Sequence, residues 1–421
     1  MLTRSTARAC HLAAGMRDFR DGGDRMLRGE GSGGGRIMRV PGWAAAIAII
    51  GITASPMMAS AGGERSVARW TVLVYMSGDN DLEPFIVKDL ERELAATGST
   101  EEVNVVALAD RGPGYDASRG DWTTTKLFHV EQGVRADAGH ALADWGERNL
   151  GDAQTLIDFV TWGREHCPAE RYALYFWGHG WNWHPGYVMS DDTDRDALDL
   201  DELEAALPSL GFIDFVGYDG CNMAAIEVQT LWHGHATALA HSQEWVGWQG
   251  VEYDVVLAQL AVNPEMTADE LAVATSRSAT SDKTWSAVAV DHRFEALVTA
   301  VDAWSVALLD GLPENRSAYK AAFRKTQSFW QAPMDKDLFD MAYQIQRRVN
   351  DAALQEASQA VLDAVGAVVL HERHRGRYDD AHGITIHHPS NRRQQTNRRY
   401  YESLEFSQRT RWEEFLEAYV R

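Results

Sequence analysis

Four apolar runs, each closed by a cluster of turn-forming residues, constrain the fold of this chain more than any other feature. Trp70–Met76 ends in Ser77-Gly-Asp-Asn-Asp81, and Val103–Ala109 closes on Asp110. Tyr172–Trp177 ends in Gly178-His179-Gly180, and Ile213–Tyr218 in Asp219-Gly220-Cys221. Runs of this length, continuous and rich in β-branched or aromatic residues, read as strands buried on both faces. Helical patterns separate them, from about Glu83 to Ala96 and from Asp152 to His166. Asp199 can cap a short helix whose Leu203, Ala206 and Leu207 share a face, with Pro208 marking its end. Leu127–Val130 reads as a short strand, Met223–Leu231 as a helix and Ala236–His241 as a further strand. Strands alternating with helices predict an α/β fold, a mostly parallel sheet flanked by helices.

From about Asp302 to Leu370 the pattern turns mainly helical, with one late strand at Gly383–Pro389 before further helices. The expected organisation is therefore an α/β domain over residues 62–300 and a mainly helical C-terminal extension over 301–421. That extension either stands as a subdomain or returns a strand to the main sheet. Residues 1–61 read as a leader. Met38-Arg39 precedes an apolar run, Trp43–Ile52, too short to span a bilayer, and Ala59-Ser60-Ala61 is a small-x-small cleavage site. This is the pattern of a secretory signal peptide. The low-complexity stretch before it, with Gly31-Ser32-Gly33-Gly34-Gly35, places the expected start at Met38.

Cleavage after Ala61 removes eight basic and four acidic residues, taking the net charge from −21 to −25. A chain this acidic is a poor partner for nucleic acid or an anionic membrane and suits an exported protein that meets basic peptides. Only Cys167 and Cys221 remain in the mature chain, too few for a disulfide framework. Cys167, before Pro168, reads as a small packing residue.

Cys221 differs because of its place. It and His179 each follow a predicted parallel strand, and ligands of open α/β sheets bind at the carboxyl ends of the strands. Two strands can thus deliver an imidazole and a thiol to one sheet edge, the pairing that nucleophilic catalysis needs. The backbone N–H groups of Gly180 and Cys221 are candidates for an oxyanion hole. A packed cysteine and a hydrogen-bonded strand-end histidine remain the bland alternative. Trp177, Trp181, Trp183, Trp245 and Trp248 flank the region. Most are expected to pack, with one or two, Trp181 among them, walling a substrate cleft.

The segments Tyr75-Met-Ser-Gly-Asp-Asn-Asp-Leu-Glu83, Trp177-Gly-His-Gly-Trp181 and Asp219-Gly-Cys-Asn-Met223 resemble the clostripain family of cysteine peptidases, in order and spacing. Gly383-Ile-Thr-Ile-His-His-Pro389 is similar to its late strand, and Ser242-Gln-Glu244 with Trp248 and Tyr253 to its segment after the cysteine. The resemblance covers most of residues 70–390. It implies a caspase-like fold, a His-Cys dyad at His179 and Cys221, and cleavage after arginine or lysine. It also implies that Asp219, two residues before the nucleophile, lines the specificity pocket, with Glu244 near the substrate. A loop-capping carboxylate is the competing reading of Asp219. Asn222 departs from the family pattern, where an apolar residue is expected. Asp79-Asn80-Asp81 reads as a turn braced by side chains, with a site role left open. Arg195 alone among lysines and arginines lies between His179 and Cys221, the segment some relatives cut on maturation.

No metal or cofactor is expected to be required. Asp192, Asp194 and Asp196 fit the first positions of an EF-hand, but Ala197 and Leu203 occupy the glycine and bidentate glutamate positions. Calcium stays open because the resemblance implies it for some members. His179 and His184, five apart in a loop, do not make a zinc pair. His371 and His374 read as a surface pair about one helical turn apart. Two other classes compete with an exported peptidase: a peptide-binding module of the same fold without turnover, and a metal-dependent hydrolase.

Overall fold

In the computed structural model, residues 67–421 are described, apart from 187, 281 and 396. The leader and its cleavage site lie outside the described residues. The chain builds a nine-stranded sheet and a separate two-stranded ribbon. In chain order the strands are β1 (Ala68–Gly78), β2 (Val103–Arg111), β3 (Lys126–His129), β4 (Ala143–Asp144), β5 (Ala169–Trp177) and β6 (Ile213–Asp219). They continue with β7 (Ala236–His241), β8 (Thr284–Ala289), β9 (Asp335–Asp337), β10 (Val369–His374) and β11 (Thr385–His387). The main sheet runs β10-β8-β7-β6-β5-β1-β2-β3-β4. Its centre, β2-β1-β5-β6-β7, is parallel, and antiparallel strands close both edges.

The central runs are apolar at every position because both faces are covered. Leu73 and Tyr75 join one core with Leu174, Phe176, Val216 and Tyr218, under the helices Ala153–His166, Leu200–Leu210 and Phe294–Phe323. Val72, Val74 and Met76 join the other with Ala173, Tyr175 and Phe215, under the helices Tyr253–Val262 and Ala268–Ser278. Phe294–Phe323 is long and apolar enough to cross a membrane by length and composition. Here it is a core helix, with Leu297, Val301, Trp304 and Leu308 buried.

The structure differs from the sequence expectations at several elements. The strand that the C-terminal part contributes to the main sheet is β10, antiparallel to β8. The late strand β11 pairs instead with β9 in the small ribbon. Because β10 is a strand, His371 and His374 are not one helical turn apart. His371 Nδ1 lies 2.9 Å from Ser276 Oγ, and His374 Nδ1 pairs with Glu372 at 2.9 Å. Pro208 does not end its helix, which runs on to Leu210 with an Asp199–Glu202 capping box at its start. The stop is Gly211, whose φ of +70° glycine reaches without a Cβ clash. The helical stretch after β1 widens into a π-helix over Asp89–Leu94, and its Asp89 Oδ2 accepts a hydrogen bond from Trp177 Nε1 at 2.9 Å.

Candidate active site

The direction of strand addition reverses at β1. The chain passes from β1 to β2 on one side and later lays β5 on the other. Such a reversal opens a crevice at the carboxyl ends of the strands. β1 delivers Asp79-Asn80-Asp81 to that edge, β5 delivers Gly178-His179-Gly180, and β6 delivers Gly220-Cys221. Trp177 and Asp219 are register partners on the adjacent parallel strands β5 and β6. His179 and Cys221 each stand two residues beyond that pair, on the loops that leave these neighbouring strand ends.

The two loops touch through their backbones. Gly178 N–H donates to Asp219 O at 3.2 Å. A Cβ on Gly180 would stand 2.8 Å from Cys221 O and 2.9 Å from Met223 Cγ, so only glycine permits this approach. After the thiol the chain turns sharply: Asn222 has φ +59°, and its Nδ2 donates to Gln243 O at 3.0 Å. That explains the departure noted in the sequence. A left-handed residue here favours asparagine over an apolar side chain.

His179 Nε2 lies 2.6 Å from Asp81 Oδ1. The histidine contact is the main reason that the Asp81 carboxyl titrates below its ordinary range. The Asp81 loop is itself held. Asn80 Nδ2 donates to Ser77 O and Ser190 O at 3.1 and 2.8 Å, and Asn80 Oδ1 accepts from Leu82 N–H at 2.9 Å. Sequence reasoning left the role of this turn open and did not pair Asp81 with His179. The signal was present in the strand ends, but reading it requires knowing that β1 and β5 are neighbours.

The segment after β7 wraps the cysteine. Val246 N–H points at Cys221 Sγ from 3.4 Å, and Glu244 O accepts from Asn222 N–H at 3.1 Å. Glu244 itself is 2% exposed. Its carboxylate accepts from Trp245 N–H at 3.0 Å, from Trp330 N–H at 2.6 Å and from the Tyr378 hydroxyl. It braces three loops rather than facing the crevice with an unengaged oxygen. Trp248 stacks on Phe85, centroids 4.8 Å apart, joining this segment to the helix after β1. Trp248 and Trp330 are exposed, Trp181 is half-buried, and Trp183 is buried against His387 and Tyr401.

Asp219 is 8% exposed. Both its oxygens accept from Val251 N–H at 3.2 Å. Burial, followed by repulsion from Asp89, pushes its carboxyl well above the ordinary range. Gly250 covers it with φ +57°, and a Cβ there would stand 2.4 Å from Asp219 Oδ1. His184 does not join His179. It stacks on Trp183 at 4.2 Å, and burial lowers its titration to about 4. Cys167 is buried, with its carbonyl accepting from Thr71 Oγ1 at 2.6 Å.

A mostly parallel sheet flanked by helices, with a histidine and a cysteine on neighbouring strand ends, defines the caspase-like class. The Peptidase C11 model of the clostripain family matches residues 74–419, and the chain belongs to that family. Clostripain of Hathewaya histolytica is 23% identical over 219 residues, covering 45% of this chain and 42% of the relative. The match thus spans less than half the length of that curated relative. A secreted C11 cysteine protease from Bacteroides thetaiotaomicron, solved with an irreversible peptide inhibitor, superposes with a TM-score of 0.64 at 18% identity. The match covers 82% of this chain and 100% of that one. An inactive zymogen C11 protease from Parabacteroides distasonis gives 0.62 at 18% identity, covering 82% and 99%.

Proposed function

We propose that this protein is an exported cysteine endopeptidase that cleaves after arginine or lysine through His179 and Cys221. The observation that carries the reading is the register of β5 and β6, with both residues two positions past the Trp177–Asp219 pair. With Nε2–H donated to Asp81, Nδ1 of His179 holds the lone pair that takes the thiol proton. The thiolate attacks the scissile carbonyl, and the same nitrogen returns the proton to the leaving amine. Val246 N–H is a donor for a sulfur that carries charge. The N–H groups of Gly180 and Cys221 are the proposed oxyanion donors. Asp219 is the proposed partner of the basic side chain, whose positive charge would relieve the cost of a carboxylate buried beside Asp89.

Export rests on the leader pattern and on a relative described as secreted. Fluorogenic peptides ending in Arg, Lys, Asp or Ala, given to the purified protein and to Cys221→Ala, test the reading. Cleavage after Arg and Lys is expected, absent in the variant. In Asp219→Asn, kcat/KM for those peptides should fall about 30-fold or more, as for loss of one partner of a buried charge pair. Cleavage that Asp219→Asn leaves intact removes the pocket assignment and keeps the dyad. Peptide binding without turnover in the unmodified protein favours the binding module. Activity lost to chelator but spared by thiol alkylation favours the metal-dependent hydrolase.

A further inference from the structure

The residues that follow Cys221 are laced to the segment after β7. Asn222 N–H donates to Glu244 O at 3.1 Å, Ala224 N–H to Ser242 O at 3.0 Å, and Asn222 Nδ2 to Gln243 O at 3.0 Å. Val246 N–H, a little further on, points at the sulfur. The placement of residues 242–246 therefore decides where the thiol lies and which donor faces it.

That segment is in turn held by the C-terminal part. Gln243 is 2% exposed, and both ends of its amide are engaged. Its Oε1 accepts from Gly383 N–H at 2.8 Å, and its Nε2 donates to Asp337 Oδ2 at 3.0 Å. Asp337, the last residue of β9, is fully buried. Its Oδ1 accepts from Asp340 N–H at 2.8 Å, which caps the helix Leu338–Arg348, and from His382 Nδ1 at 3.1 Å. Its Oδ2 accepts from His382 N–H at 2.6 Å as well as from Gln243. Burial opposes a charge on the His382 ring, but contacts led by Asp337 outweigh it and lift the imidazole above its ordinary value. Glu244 adds a second tie to the same part of the chain, through Trp330 N–H and the Tyr378 hydroxyl.

We infer that Asp337 is a positioning residue for the peptidase: through Gln243 it fixes the segment that aims Cys221 and its Val246 donor. A helix cap uses one carboxylate oxygen. The other oxygen of Asp337 is engaged outside the helix, on the segment beside the nucleophile and on the chain entering β11. Hydrogen bonds to a buried carboxylate are charge-assisted, so they hold that geometry more firmly than neutral ones. The inference rests on the reading of Cys221 as nucleophile, and it gives the C-terminal part a share in building the site.

Asp337→Asn keeps an oxygen for the Asp340 cap but turns an NH2 towards Gln243 Nε2 and His382 N–H. Flipping the Gln243 amide only moves the conflict to Gly383 N–H. In the full chain, given whichever fluorogenic peptide the parent cleaves fastest, kcat should fall about 10²-fold with KM within about twofold. The pH profile of Cys221 alkylation by iodoacetamide, read by mass spectrometry, should move up by about one pH unit as the Val246 donor withdraws. Gln243→Met, of similar volume, removes the same tie without touching the helix cap. It should shift both readouts in the same direction, and it keeps the test decisive if Asp337→Asn fails to fold. A residue that only stabilises the fold would lower Tm and leave kcat and the alkylation profile at the parent's values. That result in a folded variant overturns the inference, as does a raised KM with kcat kept. Cys221→Ala separates the two readings. Turnover retained in it overturns the nucleophile and the inference together. An inactive Cys221→Ala beside an unaltered Gln243→Met overturns the inference alone.

Discussion

At the scale of single residues, Asp81 is the side chain whose importance only the folded chain reveals. It touches His179, not the expected position of substrate, so its proposed work is to hold one tautomer and one ring orientation. Asp81→Asn should lower kcat roughly 10²-fold while KM changes little, because the interaction matters to proton transfer rather than to peptide binding. Asp81→Glu should restore part of the rate. A purely structural role would instead lower Tm and leave the kcat-to-KM split unchanged. Asp81 was present in the sequence as part of a turn signal, and the turn was legible. What was not legible is that β5 lies beside β1 although about 100 residues separate them, because strand order is a long-range choice that local pattern does not carry. Asn222 shows the converse. Its identity looked anomalous by resemblance, and its left-handed backbone accounts for it.

At the scale of elements, the site depends on how closely two loops approach. The buried parallel strands were readable because continuous β-branched runs ending in turn residues admit few other conformations. β8 is not legible in the sequence, since Thr284 and Ser286 interrupt its apolar run, and its burial comes from packing on both faces with β7 and β10 alongside. The late strand is legible but its partner is not, because its pairing with β9 joins segments about fifty residues apart that local pattern does not link. The close contact of the β5 and β6 loops yields a direct prediction. Gly180→Ala places a methyl group against Cys221 O and Met223, and the loops must part by some tenths of an ångström or more. Displacements toward 1 Å at reacting groups cost about 10² in rate. The variant should therefore lose kcat/KM by up to about that factor, with circular dichroism and Tm close to the parent.

At the scale of the whole molecule, the C-terminal part and the helix Ile226–Trp232 that follows β6 share a buried polar seam. Glu227 Oε1 accepts from His387 N–H at 3.0 Å and from Tyr401 Oη at 2.8 Å, while Oε2 has no partner. Burial lifts this carboxyl to about 7. The folded state therefore holds a proton that the unfolded chain releases near the ordinary glutamate value of about 4.5. Its contribution to stability is fully present below that value and is lost as pH rises towards about 7. Glu227→Gln keeps an acceptor oxygen and cannot ionise. It should raise Tm at pH 8 relative to the parent and flatten the decline between pH 5 and 7. Thermal unfolding of both proteins across that range decides it, and parallel curves would remove the assignment.

The same seam has a consequence for how the protein is made. Trp412 stacks on Trp304 with centroids 5.6 Å apart, and its Nε1 donates to His387 O at 2.8 Å. Phe415 and Leu416 are buried beside them. The core of the long helix Phe294–Phe323 is thus closed by side chains synthesised about a hundred residues later. A nascent chain emerging N-terminus first cannot complete this packing until residues 412–416 leave the ribosome. During most of its synthesis the polypeptide stays incompletely folded, the state in which a chain can still be threaded through a narrow translocation channel.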